Sequence, residues 1–250
     1  MALEKVYDYF HNYDKQTYQV VACMGNEPSE HDIKKFEHQY GINLPADFRE
    51  FTMSPLGGLY MEVREEIWPR AKQYDIGPFW SFCRGIIVYG IANGIPDFLD
   101  IREKTKELND EGFTGFIPFL SIIGNGDEIF CFDKDNNIVL LDCYTTGEAA
   151  PVEGAFSDCL MKQIAELEER KNKKIRGARK SGERIKITNS GLPGLPSMNL
   201  PLRQFRQREV IYSLNLFKRQ KGGFSCSQIP AIMGYVVICG PVRPRKKSMR

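Results

Sequence analysis

Histidine is scarce in this chain, with three in 250 residues, at His11, His31 and His38. No cysteine has a histidine beside it to lower its thiol pKa. His31 and His38 stand seven apart on one predicted helix, without the closer spacing or the third ligand that a metal site uses. They read as part of a polar, solvent-facing surface. Neither a G-x-S-x-G elbow nor a CxxC pair occurs. Nothing here argues for nucleophilic or metal chemistry, so the expectation is a protein that is not an enzyme and needs no metal or cofactor.

Long apolar runs are also missing. The longest, IPAIMGYVVICGPV from Ile229 to Val242, is too short to span a membrane and contains prolines and glycines. The opening MALEKVYDYF carries Glu4, Lys5 and Asp8 and so lacks the apolar core of a signal peptide. The seven cysteines (Cys23, Cys83, Cys131, Cys143, Cys159, Cys226, Cys239) are odd in number and widely spaced. That usage suits reduced, buried thiols. A cytoplasmic protein without membrane partners is expected.

The most informative scarcity is acid in the C-terminal third. Residues 171–250 hold 19 Lys and Arg against 2 Asp and Glu, a net of +17. Residues 1–170 hold 15 against 30, a net of −15, so the overall +2 conceals two segments of different character. A segment of −15 is poorly suited to nucleic acid and well suited to draw in a basic protein. The plainer alternative is that this charge only keeps the domain in solution. Nucleic acid is expected to bind, if at all, through residues 171–250.

What the first segment does contain is periodicity. LEKVYDYFHNY predicts an amphipathic helix with Val6, Phe10 and Tyr13 on one face. In NEPSEHDIKKFEHQYGINLP, Ser29 and Asp32 have capping-box spacing, Ile33, Phe36 and Tyr40 recur at helical spacing, and Gly41 supplies the stop. LPADFREF places Pro45 at a first turn, with Phe48 and Phe51 on one side. GGLYMEVREE then alternates, with Leu59, Met61 and Val63 facing inward and Tyr60, Glu62 and Arg64 outward. RGIIVYGIA reads as a central strand, and a surface helix is expected from about Pro96. A last helix over residues 155–171 puts Leu160, Ile164 and Leu167 on one face.

FIPFLSIIGNGDEIFCFDKDNNIVLLDCY, Phe116–Tyr144, looks richer in chemistry than it is. A calcium loop counted from Asp133 would need Gly at its sixth position and Glu at its twelfth, where Ile138 and Tyr144 stand. GNGD lacks the Lys-Ser/Thr of a phosphate loop, and its acids would repel a phosphate. A strand meander with polar turns is expected. Those turns set Asp127 with Glu128, and Asp133 with Asp135, on strand ends. Helix acids such as Glu103 and Glu107 instead sit beside lysines, so the four turn acids are the candidate partner-binding residues.

IKKFEHQYGINLPADFREF resembles the opening signature of the SUKH superfamily. That signature is carried here by Ile33, Phe36, Glu37, Leu44, Pro45, Phe48, Phe51, Gly57 and Gly58. VYGIANGIPDFLDIR and FIPFLSIIGNGDEIFCFD resemble the superfamily's later strand segments, and the similarity covers about residues 25–170. It implies an α+β domain with a mixed, mainly antiparallel sheet and packed helices. Bacterial members are largely immunity proteins that bind polymorphic toxins, many of them nucleases, and fungal members regulate cell-wall assembly as interaction hubs. The signature residues are mostly structural, so the resemblance supplies no catalytic site.

The resemblance implies an immunity domain over residues 1–170 that binds a cognate, basic toxin without catalysis. A nucleic-acid-associated regulatory or interaction protein acting through its basic tail is the alternative. Residues 171–250 are expected to form a poorly structured, partly disordered basic tail. A small second domain and an extension made by a disrupted reading frame stay open beside it.

Overall fold

Signals within a few residues of one another start and stop the early elements. Helix α1 (Glu4–Asn12) buries Val6 and Phe10, with Tyr13 just past its end. Helix α2 (Glu30–Tyr40) begins at the expected capping box: the Asp32 N–H donates to Ser29 Oγ at 3.3 Å, and the Ser29 N–H donates to the Asp32 carboxylate at 2.9 Å. It stops at Gly41 in the left-handed region, φ 66°. Helix α3 (Ala46–Thr52) follows Pro45 and buries Phe48 and Phe51. The structure, a computed structural model, describes residues 3–22, 26–71 and 75–181. Of the basic tail expected over residues 171–250, residues 171–181 are helical, and residues 182–250, with the apolar runs near the C-terminus, lie outside the described residues.

The alternating segments form a seven-stranded sheet whose spatial order is the chain order. Its strands are β1 (Tyr18–Val21), β2 (Leu59–Val63), β3 (Gly85–Val88), β4 (Ile117–Ile123), β5 (Glu128–Phe132), β6 (Ile138–Asp142) and β7 (Ala149–Pro151). Every neighbouring pair is antiparallel. Parallel pairing among the described residues is confined to an isolated bridge between Gly90 and Asp100. The surface helix starts with a 3-10 turn at Asp97–Leu99 and becomes helix α4 (Ile101–Asp110) once the Asp100 carboxylate accepts the Arg102 N–H. The fold is α+β.

One sheet face packs on helix α5 (Phe156–Ser181), which also contacts α1 and α3, around an aromatic cluster. Phe119 stacks on Phe132 with centroids 4.3 Å apart, and Phe48 meets Phe132 at 5.2 Å and Phe156 at 5.0 Å. The opposite face is covered as well, by α4 and by Phe98 edge-on to Tyr60. That second cover explains why Glu62, expected outward, is only 3% exposed. Its carboxylate is held by Arg70 Nη2 at 3.0 Å and lies 3.4 Å from Arg84 Nε.

Helix α5 outruns its expected end at Lys171 by ten residues. Its acids, Asp158, Glu166, Glu168 and Glu169, all precede Lys171, and from there onward its charged residues are all basic. Acid at the start and base at the end both complement the helix dipole. The extension also has contacts: Lys171 reaches Glu168 and lies over the Tyr18 ring, and Lys173 lies 4.2 Å over Trp80.

Candidate partner-binding surface

The signature residues hold the frame. Glu37, 8% exposed, accepts the Leu44 N–H at 2.9 Å and takes both carboxylate oxygens to Arg49 Nη1, at 2.7 and 2.8 Å. One carboxylate therefore ties α2 to the Leu44–Pro45 corner and to α3. Ile33, Phe36, Leu44, Phe48 and Phe51 are core residues. A Cβ at Gly57 would stand 2.3 Å from the Thr52 carbonyl oxygen, and Gly58 has φ 69°. All of these residues but the half-buried Pro45 are buried.

The candidate acids fall at opposite ends of β5. In the β4–β5 turn the staple is Asn125, 7% exposed. Its Oδ1 accepts the N–H groups of Asp127 and Glu128 at 3.2 and 3.3 Å, and its Nδ2 donates to Glu128 Oε2 at 2.9 Å. The Asp127 carboxylate has no hydrogen bond or ion pair among the described residues and is exposed. In the β5–β6 turn the staple is Asp133 itself, which accepts from the Asp135 N–H, the Asn137 N–H and Asn137 Nδ2 at 2.8, 2.8 and 3.0 Å. Although partial burial works the other way, the bonds from Asn137 hold Asp133 below the usual carboxylate range. Asp135 is exposed.

The structure brings Asp127 and Glu128 together with two acids not singled out in the sequence. Glu128 is paired across the ladder with Asp142. Burial first, then the carboxylates of Glu111, Asp142 and Asp127, push the Cys143 thiol up to about 11, while Lys104 works against them. Asp142 accepts the N–H groups of Tyr144, Thr145 and Thr146 at 3.0, 2.7 and 3.1 Å, which fixes a turn on which Tyr144 is 81% exposed.

Next to this end of the sheet, a cavity of about 240 Å³ opens between α5 and the strands. Ile122, Phe130, Leu140 and Val152 form the sheet side, with Asn125 and Glu128 at one end. Cys159, Lys162, Gln163 and Glu166 come from α5. Gln163 is 4% exposed, yet its Oε1 has no hydrogen-bond partner among the described residues. Glu166 lies 3.6 Å from Arg170 Nη1. Burial pushes the Cys159 thiol up to about 12, so it stays protonated at neutral pH. Gln163 could have been noticed in the sequence, since it sits three residues after Leu160 and four before Leu167, a polar residue on the apolar face.

All three histidines are exposed, and among the described residues no group of three His, Cys, Asp or Glu could hold a metal ion. Nor is any described helix long and apolar enough to cross a membrane. In comparison with known proteins, the family model described as SMI1 / KNR4 family (SUKH-1) matches residues 27–162, more than half of the chain. No curated protein matches it.

Proposed function

The chain belongs to the SMI1 / KNR4 family (SUKH-1), and from that premise we propose that it is a cytoplasmic immunity protein that binds and neutralises a cognate toxin without catalysis. The family match carries this reading, since the SUKH superfamily includes toxin-immunity proteins. The charge supports it and narrows the partner. Residues 1–170, the proposed binding domain, carry −15, and a nuclease that holds phosphates is basic. The free Asp127 carboxylate, with Glu128, Asp142 and Glu111 nearby, offers such a partner an acidic end of the sheet. Asp135 is the further exposed acid of the opposite turn, and Asp133 contributes charge while holding that turn.

The test takes as the candidate toxin any basic nuclease domain found encoded beside this chain. The full chain should co-elute with that domain and abolish its nuclease activity when added in equal amount. A basic toxin domain that elutes separately and stays active would end this reading.

A second reading rests on the +17 of residues 171–250: a regulatory protein that binds nucleic acid through its basic segment. It expects the full chain to bind duplex DNA with a steep loss of affinity on adding salt. The immunity reading expects DNA to leave the toxin complex intact.

A further inference from the structure

Resting on that reading, the cavity under α5 can be asked which side chain of a basic partner it would accept. Its volume of about 240 Å³ lies below the roughly 300–1,000 Å³ of small-molecule pockets, and is the scale of one long side chain. The walls Phe130, Leu140 and Val152 suit an aliphatic stem. Beyond them the polar groups are mostly acceptors. Glu128 and Glu166 carry carboxylates, and the buried Oε1 of Gln163 has no donor among the described residues. A buried acceptor without a partner is unfavourable, and a donor entering the cavity relieves it.

Two cations bear on the site: Lys162 lines it but is solvent-exposed, and Arg170, whose Nε donates to the Cys83 carbonyl at 3.1 Å, brings Nη1 to 3.6 Å from Glu166 while its buried Nη2 has no hydrogen-bond partner among the described residues. Neither is hydrogen-bonded to Gln163 Oε1. We propose that this cavity receives an arginine side chain of the basic partner, its stem on Phe130 and Leu140 and its guanidinium shared between Gln163 Oε1 and the Glu128 carboxylate. Arginine fits better than lysine because a planar fork with five donors can serve two separated acceptors at once, whereas an ammonium is a compact, strongly hydrated point charge.

The test needs no toxin. The full chain is titrated with N-acetyl-arginine amide, with N-acetyl-lysine amide and with the neutral isostere N-acetyl-citrulline amide, following the Gln163 side-chain amide and the methyl groups of Val152 by NMR. The arginine probe should shift these resonances, and citrulline should bind at least about tenfold more weakly because the charge-assisted bond is lost. Gln163→Leu should weaken the arginine probe about tenfold while melting no lower than the parent, since it removes a buried unpaired acceptor. Glu128→Gln, at an exposed position, should weaken it about threefold and keeps the test open should Gln163→Leu fail to fold. Unmoved Gln163 and Val152 resonances, or equal binding of citrulline or of lysine, would overturn the assignment. A toxin complex whose cavity resonances stay unmoved would sink this inference alone. Arginine binding without any toxin complex would sink only the immunity reading.

Discussion

The two turns that bound β5 look alike in sequence, each short, polar and rich in acid, yet they use their acids differently. At 124–128 an amide, Asn125, closes the turn and leaves the Asp127 carboxylate to solvent. At 133–137 a carboxylate closes the turn, and Asp133 spends its oxygens on its own backbone and on Asn137. Asn136 between them takes φ 62°, a left-handed conformation that asparagine tolerates better than most residues. Five residues of strand, about 17 Å, separate the turns, so no single contact patch of one side chain's reach includes both. An acid in these turns therefore either closes the turn, as Asp133 does, or is left to solvent, as Asp127 is.

The largest effect that would break or confirm this division is on stability. Asp133→Ala removes three hydrogen bonds and should cost about 2 kcal/mol, read as an earlier denaturation midpoint at unchanged slope. Asp127→Ala should leave the midpoint where it is. Equal losses at the two positions would show that both turns depend on their acids alike.

Acid should separate the turns next, with a smaller effect than deletion because a protonated carboxyl still accepts some bonds. The folded pKa of Asp133 is depressed, so its contribution is present above the unfolded value of about 3.9 and is lost as pH falls through the folded value. Asp142, held below the usual range by the N–H groups of Thr145 and then Tyr144, behaves in the same direction. Asn125 does not titrate. Between pH 5 and pH 2, the amide protons of Asp135 and Asn137 should therefore lose exchange protection before those of Asp127 and Glu128. Simultaneous loss would mean that the whole sheet end opens together.

The turn sequences hint at closure but not at which side chain performs it, and the same limit runs through the fold. Helix α2 was legible because its cap and stop are local: Ser29, Asp32 and Gly41 act within a few residues. The meander β4–β6 was legible because alternation and turn residues coincide. Strand β7 was not, since Ala149–Pro151 has little strand preference of its own and is held by pairing with β6. Strand β1 is four residues long and is fixed by β2, some forty residues later in the chain. Alternation puts Glu62 outward because it assigns faces without saying whether the second face is covered. The cavity around Gln163 was least legible, since its walls come from three strands, a turn, the segment after β7 and a helix brought together only by folding.

The smallest effect is on association, and it is where the two turns compete directly as recognition elements. The net −15 of residues 1–170 would draw a basic partner from a distance, and salt screens that pull over roughly 10 Å at 0.1 M. Charges free to face the partner matter most in the encounter, so the Asn125-stapled turn should dominate. Replacing Asp127 with Asn and Glu128 with Gln together should slow capture of the cognate toxin about fivefold at low salt, close to 1 kcal/mol. Asp135→Asn, which spares the Asp133 staple, should slow it no more than about twofold. Both differences should shrink as salt rises, and the dissociation rate should change mainly in the first variant, where Glu128 also borders the cavity. If Asp135→Asn were the slower of the two, the partner would approach the other end of β5, and the free carboxylate at Asp127 would be surface charge alone.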